Sequence, residues 1–153
     1  MADFHFSGIK LTAAGQKYVN ELKKLQKMVV EVGFQGDEGS YDNGVDIVTV
    51  AAFNEFGTSR MPARPFMQQS WENHEKELNE LCGNAYKTVL AGGSAEKCCD
   101  IAGAGGVGIV QKEIDEGGFA PNAPSTVARK GSSHPLIDTG LMRQSVHYQV
   151  KGG

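Results

Sequence analysis

Two hydrophobic periods run along this chain. Leu11, Ala14, Tyr18, Leu22, Leu25 and Met28 recur at steps of three and four, with Lys17, Lys23, Lys24 and Lys27 on or near the opposite side. The pattern predicts an amphipathic helix with Thr12 as its N-cap. MVVEVGF (28–34) is short and β-branched and reads as a strand. QGDEGSYDNG (35–44) is polar and turn-rich, which predicts a flexible loop joining two elements. VDIVTVAAFNEF (45–56) mixes strand and helix signals; its second half leans to helix, with Gly57 as C-cap.

From Phe66 to Leu90, Trp71, His74, Leu78, Leu81, Ala85 and Val89 mark one face of a single long helix, and Glu72, Glu75, Lys76, Glu77 and Glu80 cover the other. Phe56, Phe66, Trp71 and Leu78 are expected in the core. Gly92-Gly93 ends that helix. Ser94 caps another, which runs to about Glu116 before Gly117-Gly118. Residues 119–137 read as an extended loop region with a short helix near 125–130. Asp138 or Thr139 caps a helical turn through Gln144, and VHYQVK (146–151) alternates as a closing strand. The expectation is one α+β domain over residues 1–153, a small antiparallel sheet packed with a long central helix and several shorter ones.

Composition changes this picture little. With 153 residues, 40% hydrophobic and 22% charged, the chain is ordinary and long enough to bury a real core. A net charge of -3 argues against a general polyanion binder but leaves room for local basic patches. No apolar run reaches the roughly 18 residues of a membrane span, and MADFHFSGIKL lacks the order of a signal peptide. Cys82, Cys98 and Cys99 are odd in number, two of them adjacent; they read as reduced thiols made in a cytosol.

Chemical motifs are weak. AGAGGVG (102–108) does not follow a strand and lacks the Lys-Ser or Lys-Thr of a phosphate loop. If helical, its glycines cost ~3–4 kcal/mol relative to alanine. They make either a close backbone contact or a point where the helix bends. Adjacent Cys98 and Cys99 diverge on a helix, which does not suit a tetrahedral metal site. No strained nucleophile elbow is present and no acid–base pair can be placed. The reading is a non-enzyme without cofactor or metal.

The basic residues carry more. Arg60 and Arg64 fall in one stretch and Arg129, Lys130 and Arg143 in another; brought together, they make a local positive site for carboxylates or a DNA backbone. In SRMPARPFM, Pro62 and Pro65 restrict the backbone and predict a stiff extended arm. Arginine and large apolar groups are the types that dominate protein interfaces. Thr58, Arg60, Met61, Pro62, Arg64, Pro65, Met67, Arg129, Lys130 and Arg143 are therefore the candidate interface, with Arg129 and Lys130 the candidates for touching DNA.

The order of these motifs resembles the small neck or tail-completion proteins of long-tailed bacteriophages, also described as head–tail joining, minor tail or virion-morphogenesis proteins. The resemblance rests on Glu55-Phe56-Gly57-Thr58, then Met61-Pro62-Ala63-Arg64-Pro65-Phe66 and a long helix. Ser125-Thr126 with Arg129-Lys130-Gly131 follow, then Pro135 to Gly140 with Leu141 and Ser145. Met61 stands where isoleucine is common, and Met142 follows Leu141 where the pattern more often has a polar residue and then the leucine. The glycine-rich segment and the paired cysteines lie outside the pattern. The resemblance implies a non-catalytic α+β subunit of a homo-oligomeric ring, a hexamer, at the head–tail junction. It implies synthesis in the bacterial host cytoplasm and residence in the virion. Its neighbours there are the connector or adaptor and the tail terminator or tail tube, with weak contact to packaged DNA and none with membrane. The 58–66 arm is the candidate for one ring face, the acidic helix side or the 35–44 loop for the other. A nucleic-acid-binding module acting through its Arg/Lys loops is the alternative.

Overall fold

The computed structural model describes residues 10–36 and 38–153. Among them the chain forms α1 (Ala13–Leu25), β1 (Val29–Gly33), α2 (Ile47–Phe56), α3 (Phe66–Asn73), α4 (Glu75–Leu90), α5 (Ala95–Glu116), α6 (Pro124–Lys130), α7 (Leu141–Gln144) and β2 (His147–Lys151). This is the expected α+β architecture. Asp37, inside the predicted 35–44 loop, and the first nine positions of the predicted domain lie outside the described residues.

Local chemistry sets most of the boundaries. Thr12 accepts a hydrogen bond from the Gly15 amide, Asp46 from Thr49 and Ser94 from Lys97, so each satisfies a donor that the first helical turn leaves free. Pro124 opens α6, where its missing N–H costs nothing, and Gly131 closes it with a φ of 69°.

The helix α5 is the axis of the fold. It packs against α4, both strands, α3, α1 and α7. Strands β1 and β2 pair antiparallel, from Val29 opposite Lys151 to Gly33 opposite His147. Val32 and Tyr148 turn towards α5, and its glycines let them approach. A Cβ on Gly103 would stand 2.2 Å from the Tyr148 ring, and one on Gly106 3.0 Å from Val32. Gly105 serves the other flank, where a Cβ would meet Leu81 of α4 at 2.4 Å. The glycine run is thus a close-contact surface inside an unbroken helix, not a bend.

Among the described residues two apolar clusters result. Phe66, Val110, Ile114, Leu136, Met142 and Val146 anchor the larger one, with Trp71 and Met67 packed against it. Ala85, Val89 and Cys98 form the smaller one beneath Tyr18, Leu22 and Leu25 of α1.

Three expectations need correction. The long helix from Phe66 is interrupted at His74, whose φ of -116° and ψ of 22° leave helical geometry. The cause is Glu113 of α5, a buried carboxylate that needs donors. Asn73 Nδ2 donates to it over 3.0 Å and the His74 ring bonds it over 2.8 Å, while Glu77 sits 3.3 Å from the other ring nitrogen. Leu78, expected in the core, is half-buried and joins neither cluster; Leu81, Ala85 and Val89 face inward. Phe56, also expected in the core, is 81% exposed. The inner face of α2 is Ile47, Ala51 and Asn54, which places Phe53 and Phe56 on its outer side.

Candidate functional site

The "arm" at 58–66 is a folded-back turn. Thr58 and Met61 exchange backbone hydrogen bonds of 2.9 and 3.3 Å, placing Ser59 and Arg60 at the tip. The Arg64 amide then donates to the Asn54 carbonyl over 2.6 Å. Pro65 adopts φ -75° and ψ 66°, and the Phe66 amide bonds the Arg64 carbonyl over 2.7 Å. That is an inverse γ-turn, and it launches α3 directly. The restriction on proline that predicted a stiff extended arm also permits this tight reversal.

Glu55 secures the reversal. Its carboxylate accepts from the amides of Met67 at 2.8 Å and Gln68 at 3.0 Å. A side chain at the end of α2 therefore caps α3, which has no capping side chain of its own at Pro65.

Arg64 points inward. It is 4% exposed, and its Nε and one terminal nitrogen donate to the carbonyls of Ala120 and Pro121 over 2.7 and 3.1 Å. Burial pulls its pKa below the ordinary arginine value. Pro65 and Met67 are also partly withdrawn, Met67 against the main core. Of the segment expected to face a partner, Thr58, Arg60 and Pro62 are exposed, Met61, Pro65 and Met67 are half-buried, the last against the main core, and Arg64 is buried.

Above Arg64 lies a cleft of about 630 Å³, walled by the 58–64 turn, by residues 121–130 and by residues 135–142. It gathers Arg60, Arg64, Arg129 and Lys130, bringing together cations 60 and more positions apart in sequence. Asp138 is the one carboxylate lining it among the described residues. The Lys130 ammonium donates to the Ile137 carbonyl over 3.3 Å. Burial lowers its pKa, the Arg64 and Arg129 charges lower it further, and Asp138 opposes them. Tyr41, from the polar loop after β1, forms part of the wall. Its phenol pKa is raised first by burial and also by Asp138, against a backbone hydrogen bond from Met142.

Arg143 does not join this group. Its Nε lies 2.8 and 2.9 Å from the two Asp115 carboxylate oxygens, a bond that raises its pKa. Asp138 is not the cap of α7: Gly140 holds the N-cap position with φ 78°, and Thr139 Oγ1 accepts from the Leu141 amide over 3.3 Å. Sequence reasoning missed Glu55 as a cap and Tyr41 and Asn43 as cleft walls. The amides that Glu55 caps lie 12 and 13 positions away, and the cations that Tyr41 and Asn43 face across the cleft lie further still, beyond any local spacing rule. The described residues hold no cluster of His, Cys, Asp or Glu fit for a metal ion, and no described helix is long and apolar enough to cross a membrane.

Searches against family models, curated proteins and solved structures find no match to this chain.

Proposed function

We propose that this chain is a structural virion subunit that forms a ring at the head–tail junction of a long-tailed phage or prophage and joins the capsid connector to the tail. One observation carries the reading. Phe56, at the centre of the Glu55–Thr58 motif, is 81% exposed, and Phe53, one turn earlier on the same side of α2, is 48% exposed. Burying such a ring is worth roughly 1.5–3 kcal/mol. Side by side, next to the exposed Thr58–Pro62 tip with Arg60, they make an apolar patch with a basic edge, the composition of an interface core.

A ring needs two different complementary faces. The exposed carboxylates of Glu72, Glu75 and Glu80 along α3 and α4 provide an acidic counterpart. The remaining motif positions support the same corner of the molecule: Glu55 caps α3, Arg129 and Lys130 lie on α6 beside the cleft, and Leu136 is core. In this reading the subunit performs no catalysis. It is made in the host cytoplasm and resides in the virion. It meets its own copies, the connector, and the tail terminator or tail tube.

The test uses Phe56→Ser. The variant is expected to keep the thermal unfolding temperature of the parent. It is also expected to lose assembly, measured by light scattering with and without connector or tail-tube protein and by electron microscopy of particles. Normal virion yield from the variant, or a parent subunit that stays monomeric beside both partners, rejects the ring. A second reading, direct contact with nucleic acid, is favoured by the meeting of Arg129 and Lys130 with Arg60 in one cleft. It requires a steep fall of affinity with salt.

A further inference from the structure

The cleft carries an unbalanced charge. Among the described residues, Arg60, Arg64, Arg129 and Lys130 line it against the single carboxylate of Asp138. Arg64 has used Nε and one terminal nitrogen on the carbonyls of Ala120 and Pro121. Its other terminal nitrogen has no protein acceptor among the described residues. It is not sealed off either, since the one buried unpartnered side-chain nitrogen or oxygen among them is His134 Nδ1. That nitrogen keeps some contact with solvent, and the Arg64 side chain lines the cleft. The Lys130 ammonium, on the adjoining wall, feels the charges of both Arg64 and Arg129. Like charges crowded in a partly desolvated concavity repel, and a bound anion relieves that repulsion.

The geometry narrows the anion. A single carboxylate neutralises one charge. A phosphate carries between one and two, and offers several oxygens that separate guanidinium forks can engage at once. Asn43, Asn122 and Thr126 add neutral polar groups around the rim, and Val50, Leu136 and Met142 form an apolar wall. The volume of about 630 Å³ exceeds what a bare phosphate fills and falls within the usual range of small-molecule sites. Because Arg64 is 4% exposed, only a slender group reaches it. The broad backbone of a DNA duplex meets the exposed Arg60 and Arg129 but not the buried group below.

We propose that this cleft is a binding site for a phosphate-bearing ligand, either a free phosphate or pyrophosphate compound or the exposed phosphate of a single nucleic-acid strand, with Arg64, Arg129 and Lys130 as the anion contacts and Arg60 closing over them. The proposal stands on the cleft alone. The ring reading rests on Phe53 and Phe56 of α2 and shares only Arg60 with the cleft, so Phe56→Ser tests the ring and Arg129→Gln the cleft, and either can fail without the other.

Isothermal titration calorimetry on the full chain tests it, at ionic strength held constant with sodium chloride. The probes are inorganic pyrophosphate, a 5′-phosphorylated single-stranded oligonucleotide, a blunt duplex and an oligoglutamate peptide. Saturable binding of pyrophosphate or of the single strand is expected, about tenfold weaker in Arg129→Gln and in Arg60→Gln and unchanged in Arg143→Gln. Both test residues are exposed, so their variants fold; Arg64→Gln removes a buried structural group and is not relied upon. Tighter binding of the strand than of pyrophosphate, with the same variant dependence, assigns the phosphate to nucleic acid; the reverse order assigns it to a small molecule. Heat that does not saturate, binding indifferent to Arg129→Gln, or a response confined to the duplex or to oligoglutamate overturns the proposal.

Discussion

Arg64 changes role between sequence and structure. Flanked by Ala63 and Pro65, it reads as a charged fork on an exposed arm; in the fold it ties the turn to the carbonyls of Ala120 and Pro121. Arg64→Ala leaves both carbonyls without that donor and opens space beneath the cleft. The expected loss is about 2–4 kcal/mol in urea-induced unfolding, whereas an interface arginine would leave stability unchanged. Glu55 is the second such residue. It holds the first amides of α3 from another helix, so Glu55→Ala is expected to cost about 1–2 kcal/mol. Glu55→Gln, which keeps an acceptor oxygen but no charge, should cost less in the same measurement. Asp138→Ala, by contrast, removes no helix cap, because Gly140 occupies that position.

At the scale of elements, α5 shows how an apparent weakness becomes a contact surface. Its glycines lower helix propensity, yet Gly103, Gly105 and Gly106 admit Tyr148, Leu81 and Val32 closer than any side chain allows. Gly103→Ala drives a methyl group into the Tyr148 ring and is expected to destabilise by about 1–3 kcal/mol. Gly108→Ala, in the same run but facing open space, should stabilise by up to about 1 kcal/mol. Thermal or denaturant melts of the pair separate packing from propensity: two changes of the same sign would refute this account of the run. The break at His74 belongs to the same scale. The three-and-four spacing from Trp71 through Leu81 continues across it without a flaw. The interruption comes from Glu113, some 40 positions away, drawing Asn73 and His74 to its carboxylate.

For the whole molecule, the cysteines report how the layers open. Cys82 is exposed, while Cys98 and Cys99 are buried and their thiols are raised in pKa by that burial. A thiol reagent should modify one cysteine rapidly in the native protein and all three on unfolding, with Cys98 reacting only as fast as the α1–α4–α5 layer opens and Cys99 only as its contact with Met28 is exposed. Rapid modification of all three in the folded protein would show that this layer is loose. The α+β class, the helix face of α1, the extent of α5 and both strands were legible in the sequence, because caps such as Thr12 and Ser94 and apolar spacing act over four residues or fewer. Half the cleft was legible too, as a set of cations that would matter if their loops met. What only the tertiary structure decided is which face of α2 points inward, where the long helix stops, and that the turn after Gly57 folds back so that Arg64 lies under Arg129 and Lys130. Those outcomes depend on the demands of Glu113, Glu55 and the carbonyls at 120–121, groups far away along the chain, and no local pattern of polar and apolar residues encodes a partner at that distance.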